Sequence, residues 1–450
     1  MRQLFKVSLL ALVASCNYHS SQAKSPPGAL AVTDIAAPPP TDRAEAPAAR
    51  SPEALTALLA DYDQAVASGA APASLARMRE AIDVTAGQRD AVASRLFWYT
   101  DLEAAKAAAE KSGRPILSLR LLGRLDEELS CANSRLFRVV LYANPRVSQF
   151  LRDTYVLAWS SERPVPRMTL DYGDGRIVTR TLTGNSVHYV LDARGRIVDA
   201  LPGLYGPAAF ERGLRESLDL ARKSGTLGDE ESAKAVAKYH ARAGWVLTSA
   251  WRKDLARAYG DGYATYIDAA TLPRPVKGFW PDPLYGSIPA SAVNALTESK
   301  ADMEAPSLAL LQPEIHVSAD WGDWTKIADH VAQERIAAES VALLREERPR
   351  DWGKTSASQL DADQLAKRVS QFEKRMTEEE LKNEYVLHGY VHAHLARGSR
   401  VDLASTNDFI YTRVFMTPRS DAWLGLTPTA TFTGIDDDGL VASAPSDRSP

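Results

Sequence analysis

Residues 98–122 read WYTDLEAAKAAAEKSGRPILSLRLL. Thr100-Asp101-Leu102-Glu103 has the form of a capping box, in which the Thr100 hydroxyl accepts an amide of the first turn while Glu103 reaches back. The Ala-rich run that follows is helical and stops at Gly113, with Pro115 beyond it. Ile116–Leu122 is short and almost wholly apolar, as a strand buried on both faces requires. A helix delivered straight into a buried strand is half of an α/β unit.

The alternation continues downstream. Asn144-Pro145 pairs a capping side chain with an N1 proline and opens a helix to about Leu151. Thr154–Ser160 reads as a second strand. Tyr172-Gly173-Asp174-Gly175 is a turn between the strand-like runs Met168–Leu170 and Arg176–Leu182. Val187–Leu191 and Arg196–Ala200 flank the turn Asp192-Ala193-Arg194-Gly195, and a helix from about Pro207 to Lys223 closes the unit. The order is helix, strand, cysteine-bearing helix, strand, hairpin, helix.

That order, together with Trp98-Tyr99 and the "KSGRP" approach to the strand, resembles bacterial thioredoxin-like domains. Asn144-Pro145-Arg146-Val147 is similar to the family's helix start after its active-site helix. Thr183-Gly184-Asn185-Ser186-Val187 followed by VLDARGRIV is similar to its hairpin. The resemblance covers about 130 of the 450 residues. It implies a central mixed sheet flanked by helices over 91–225, and it aligns Cys131-Ala132-Asn133-Ser134 with the family's Cys-x-x-Cys. The family's cis-proline aligns with Ser186.

In that family the first cysteine attacks a disulfide and the second resolves the mixed disulfide. Here Ser134 stands at the second position. The resemblance therefore implies at most monothiol exchange or isomerisation through Cys131. Asp126, Glu127 and Glu128 before the cysteine oppose a thiolate, whereas Arg124, Arg135 and Arg138 favour one. The loop Gly123–Ser130 is about six residues longer than the family's. The competing expectation is a buried, unreactive thiol on a fold that serves as a scaffold for protein interaction.

The chain holds only two cysteines, so a disulfide scaffold and a four-thiolate zinc site are both excluded. The other is Cys16. Residues 1–16 combine basic Arg2 and Lys6 with the apolar run Val7–Val13, which is too short to span a bilayer. The ending Val13-Ala14-Ser15-Cys16 resembles the lipobox of bacterial lipoproteins, which implies cleavage after residue 15 and lipidation of Cys16. Asn17 after the cysteine implies the outer membrane, with the protein facing the periplasm. Loss of residues 1–15 leaves 51 basic against 57 acidic side chains.

Residues 16–50, rich in Ala and Pro, read as a disordered tether. Residues 51–90 read as one or two amphipathic helices, with Leu55, Leu58, Leu59 and Tyr62 at helical spacing. Residues 226–435 read as a mostly α-helical C-terminal domain, with periodic segments at Ala233–Leu255, Ile327–Leu344, Ser358–Phe372 and Thr377–Ala396. An irregular stretch, Pro273–Pro289, lies between the first two, and Trp321, Trp324, Trp352 and Trp423 read as packing groups. Residues 436–450 read as a disordered tail, with Asp436-Asp437-Asp438-Gly439 lacking the ligand spacing of a calcium loop.

The formal charge of -4, from 53 Lys+Arg and 57 Asp+Glu, leaves no basic footprint for nucleic acid. The sequence carries no P-loop, GxSxG, HExxH or dinucleotide fingerprint, and no cofactor is expected. The expected partners are envelope proteins or thiol substrates. One weak metal constellation stands out: Glu384, His388 and His392 at i, i+4 and i+8, with His394 nearby. On a straight helix the three converge poorly, so His330 or His316 would have to complete a site.

Overall fold

The computed structural model describes residues 50–175, 177–181, 185–260, 324–346, 361–398, 401–415 and 417. Cys16, the tether, Pro273–Pro289, His316, Trp321, Trp352, Trp423, Asp436–Gly439 and the tail lie outside them. No described helix is long and apolar enough to cross a membrane.

Helices α1 (Pro52–Ala67) and α2 (Pro72–Ala86) form an N-terminal hairpin, each opened by a proline at its first position. The Ser51 hydroxyl caps α1 by accepting the Ala54 amide. Leu55 and Leu59 of α1 pack on Ile82 and Ala86 of α2 and on Ala91 of the short helix α3 (Ala91–Ser94). Gly87 ends α2 in the left-handed conformation, and its carbonyl accepts the indole N–H of Trp159, which ties the hairpin to the sheet.

The α/β unit follows: α4 (Leu102–Ser112), β1 (Ile116–Leu122), α5 (Ala132–Leu136), α6 (Pro145–Thr154) and β2 (Val156–Arg163). The cap of α4 differs from expectation. Asp101, not Thr100, is the N-cap and accepts the Glu103 amide, while the Thr100 hydroxyl is taken by Arg50. Asn144 caps α6 as its sequence demands, accepting the amides of Arg146 and Val147.

Strands β3 (Arg167–Asp171) and β4 (Ile177–Thr181) make a separate two-stranded hairpin. Strands β5 (Val187–Leu191) and β6 (Ile197–Pro202) complete a four-stranded mixed sheet of order β2-β1-β5-β6. β1 runs parallel to β2 and antiparallel to β5, and β6 is antiparallel to β5. Every residue of β5 and β6 is buried, so both faces of that side of the sheet are covered. Helix α7 (Pro207–Ser224) returns across it, burying Phe210, Leu214 and Leu218.

Residue 226 marks a change of secondary structure, but the core runs through it. Helix α8 (Asp229–Tyr259) and three later helices, α10 (Ala338–Glu346), α11 (Ala362–Lys382) and α12 (Gly389–Leu395), pack on the α/β unit, while α9 (Trp324–Ala328) packs on α8 and α11. Helix α13 (Leu403–Phe409) follows. Val236, Met376, Leu387, Val391 and Phe409 share one apolar cluster with the strands.

The single helix expected over Ile327–Leu344 is broken between α9 and α10 because its backbone is used elsewhere. The Glu334 amide donates to Thr377 Oγ1 and the Ile336 amide to Glu373 Oε1. The Glu334 carboxylate accepts the Ala208 and Ala209 amides at 2.9 and 2.8 Å, capping the N-terminus of α7 from 125 residues away. Conversely, the segments expected over Ser358–Phe372 and Thr377–Ala396 are continuous through Phe372–Thr377. Asp361 and Gln364 form a capping box at the start of α11, and a π turn, Asn383–His388, joins α11 to α12.

Candidate functional site

Two buried polar pockets carry the chemistry. The first surrounds Cys131, the N-cap residue of α5, whose amide donates to Leu122 O at the end of β1. The Sγ donates to Ser134 Oγ at 3.5 Å and lies 3.4 Å from Ser186 Oγ. Ser134 spends its own hydrogen on the Cys131 carbonyl at 2.8 Å. The network closes with the thiol hydrogen on Ser134 and the Ser186 hydroxyl hydrogen on sulfur. Thus the three positions singled out by resemblance meet, although Ser186 is 55 residues from the thiol.

The pocket is sealed. Cys131, Asn133, Ser134 and Ser186 have no measurable exposure. Tyr411 lies in the π turn Ile410–Val414 that follows α13, and its hydroxyl donates to Asn185 O. Asn185 Nδ2 donates to Thr417 Oγ1 at 3.2 Å. In the same way Tyr189 donates to Asn407 of α13, and Asn407 to Glu162. The segment from α13 to Thr417 is therefore bonded to β5 and to Asn185, the residue before Ser186. The arginines near the thiol are held by other groups: Arg124 by Asp126 and Glu127, Arg135 by Ser130 O and Thr181, and Arg138 by Glu127 O and Asp90.

Behind the thiol, His188 Nε2 and the Tyr142 hydroxyl are 2.7 Å apart, and the His188 ring packs against Phe137 and Phe210. Burial without a neighbouring anion lowers the His188 pKa to about 3, so the ring is neutral. Burial also raises Tyr142 well above the ordinary phenol value, with Cys131 adding to the shift. The side chain of Asn133 and the hydroxyl of Ser130 are buried with no hydrogen-bond partner.

The second pocket lies between β6 and the helices α8 and α12. His388 ends the π turn, and its Nε2 is 3.0 Å from Asp199 Oδ1 on β6. His392, one turn on, packs against His388 with ring centroids 4.1 Å apart and the planes tilted by 35°. Its Nδ1 is 2.8 Å from Nδ1 of His240 on α8, and His240 Nε2 is 2.7 Å from the Val198 carbonyl. A carbonyl only accepts, so His240 donates through Nε2. Burial lowers the His240 pKa, so its Nδ1 carries a lone pair and accepts from His392 Nδ1–H. His392, held neutral chiefly by burial and then by its histidine neighbours, keeps its free lone pair on Nε2.

Asp199 and His388 form the charged end of this pocket. Burial alone would raise the Asp199 pKa, but the charge and hydrogen bond of His388 outweigh it and hold the carboxyl well below the usual range. Burial alone would lower His388, but Asp199 raises it above the ordinary imidazole value. Asp199 Oδ1 also accepts the Ala200 amide, whereas Oδ2 is buried with no hydrogen-bond partner.

Of the metal candidates read from sequence, His388 and His392 meet, and Glu384 does not join them. Glu384 lies in the π turn and its carboxylate is taken by Arg212, which donates to it at 2.8 Å. His330 is exposed, and His316 lies outside the described residues. His394 stacks on Phe409 at 4.1 Å instead. Asp199 and His240 were not legible as site residues. Asp199 is a lone charge within IVDAL, a run that is otherwise strand core, and His240 is one polar residue among the many of helix α8.

Against this geometry, comparisons with protein-family models, with curated proteins and with solved structures return no match.

Proposed function

We propose that this chain is a lipid-anchored, thioredoxin-like protein of the bacterial envelope that acts by binding other envelope proteins, its thioredoxin-like unit serving as a scaffold. The observation that carries the scaffold reading is the sealed thiol. Cys131 is buried, its sulfur sits between two serine hydroxyls, and Asn185 beside Ser186 is bonded to Tyr411 and Thr417 of the chain's own later segment. The mixed sheet with its flanking helices and the meeting of Cys131, Ser134 and Ser186 support the thioredoxin-like reading. The envelope address rests on residues 1–17 alone, and loss of labelled palmitate incorporation in Cys16→Ser checks it.

Alkylation of Cys131 by iodoacetamide, followed by mass spectrometry, tests the scaffold reading. A thiol reached only through opening of the structure reacts at least ~1,000-fold more slowly in the folded protein than in denaturant. Rapid alkylation of the folded protein, or a mixed disulfide trapped at Cys131 from envelope extracts, overturns it.

A second reading, monothiol exchange, is favoured by one observation: the Ser186 hydroxyl is already placed within hydrogen-bond reach of sulfur, where it would stabilise a thiolate. It requires the segment bearing Tyr411 and Thr417 to leave the Asn185 edge. Tyr411→Ala should then speed alkylation by more than tenfold.

A further inference from the structure

We propose that Asp199, His388 and His392 bind one divalent transition metal ion, zinc by the chemistry of the donor set, with His240 as the positioning residue that orients His392. The site is independent of the thiol and stands or falls separately from the reading of Cys131.

Three observations carry it. First, one ligand atom from each of the three residues lies within 4.8 Å of the others, and all three residues are buried. Ligand atoms around a tetrahedral ion with bonds of ~2.0 Å stand about 3.3 Å apart, so the set would close by no more than about 1.5 Å between ligand atoms on binding an ion. Two imidazoles and a carboxylate make a three-ligand zinc set, with a fourth position left for water or a substrate.

Second, the supporting hydrogen bonds are those a metal site needs. The chain Val198 O, His240, His392 commits Nδ1 of His392 and leaves Nε2 as its donor atom. A metal-ligating histidine characteristically donates its other N–H in this way, which fixes tautomer and ring orientation. A purely structural histidine has no need of a second buried imidazole behind it.

Third, Asp199 Oδ2 is fully buried and makes no hydrogen bond. A buried carboxylate oxygen without a partner is costly, and a cation at this position would satisfy it.

The surroundings suit a cation. Glu216 lies close enough to His388 and Asp199 for its charge to act on both, and it also lines an open cleft of about 340 Å³ with Arg146, Ala208, Glu211, Arg212 and Arg215.

The test uses the full chain, stripped with chelator, dialysed and titrated with Zn²⁺ and Co²⁺. The expected result is one equivalent bound, intense visible Co²⁺ bands of four-coordinate type, and a Tm that rises with zinc concentration. His330→Gln, exposed and outside the cluster, should bind as wild type does. His392→Gln and Asp199→Asn should each abolish stoichiometric binding, and His240→Gln should weaken it by 10- to 100-fold, as loss of a supporting hydrogen bond does. Wild-type protein that binds no equivalent, or that gives only the weak Co²⁺ bands of six-coordination, overturns the proposal. So does full affinity in folded His392→Gln or Asp199→Asn. Should those two variants not unfold cooperatively, the wild-type stoichiometry and spectrum, with His240→Gln, decide the matter.

Discussion

The thiol pocket and the histidine pocket are both buried beside the same sheet, yet they are built from opposite materials. Around Cys131 the partners are neutral hydroxyls, a neutral imidazole and a phenol, with the nearby arginines bonded elsewhere. Around Asp199 an anion faces an imidazole whose pKa it raises against the effect of burial, and two more imidazoles stand in line. The difference teaches where buried charge is tolerated in this fold. In the histidine pocket it is compensated by three segments far apart in sequence, and it is absent from the immediate partners of the thiol. Interior electrostatics are strong when unmatched, so the histidine pocket should dominate the energetics of the pair.

The largest expected effect follows directly. Asp199→Ala removes the counter-charge of a buried pair, and such removals cost about 3–5 kcal/mol. A fall of that size, read from the urea midpoint of the metal-free protein, would mark Asp199 as the anchor between β6 and α12. A loss below about 1 kcal/mol would break the comparison, because the two pockets would then be energetically alike.

The histidines sharpen it with pH. His188 has no anion beside it, and its folded pKa is lowered to about 3 against an ordinary 6.5. Between those values the unfolded chain binds a proton that the folded chain refuses. The stability that neutral His188 contributes is therefore present above about pH 6.5 and is lost as the pH falls towards 3. At about 1.4 kcal/mol per pH unit, the loss between pH 7 and pH 5 is roughly 2 kcal/mol. His188→Gln keeps a polar atom for Tyr142 and does not titrate there. The slope of stability against pH should be flatter by that amount, and an unchanged slope would show that His188 takes up its proton in the fold as it does in the unfolded chain.

The same contrast explains what the sequence made legible. Strands β1 and β5 were read to the residue, because Ile116–Leu122 and Val187–Leu191 are apolar runs bounded by Gly and Pro or by turn residues. The Asn144-Pro145 start was read because a capping side chain acts within three residues. The Thr100 cap failed for the same local reason, since Asp101 beside it competes for the same amides. Cys131 and Ser134 are three apart and visible as a motif. Asp199 and His388 are 189 residues apart, and His240 and His392 are 152 apart. No periodicity or spacing connects residues so separated, and only the packing of α8 and α12 on β6 does so. The break after Ala328 is illegible likewise, because it follows from bonds to Glu373 and Thr377 on another helix.

The smallest expected effect bears most closely on the thiol. Ser186 is buried, and sulfur is its hydrogen-bond partner at 3.4 Å. Cys131→Ala should cost about 1–2 kcal/mol, because it deletes a small buried group and strands that hydroxyl. Part of this cost is cavity and part is the bond, and a double-mutant cycle with Ser186→Ala separates them. A neutral thiol is a weak partner, so the coupling energy should fall below about 1 kcal/mol. Hydrogen bonds to charged groups are worth about 1.5–3 kcal/mol, so a coupling in that range would mean that the Ser186 hydroxyl holds a thiolate. The thiol pocket would then contain a buried charge of its own, the contrast with the histidine pocket would vanish, and monothiol exchange would replace the scaffold as the better reading. A small coupling keeps the two pockets distinct, one held by neutral packing and one by compensated charge.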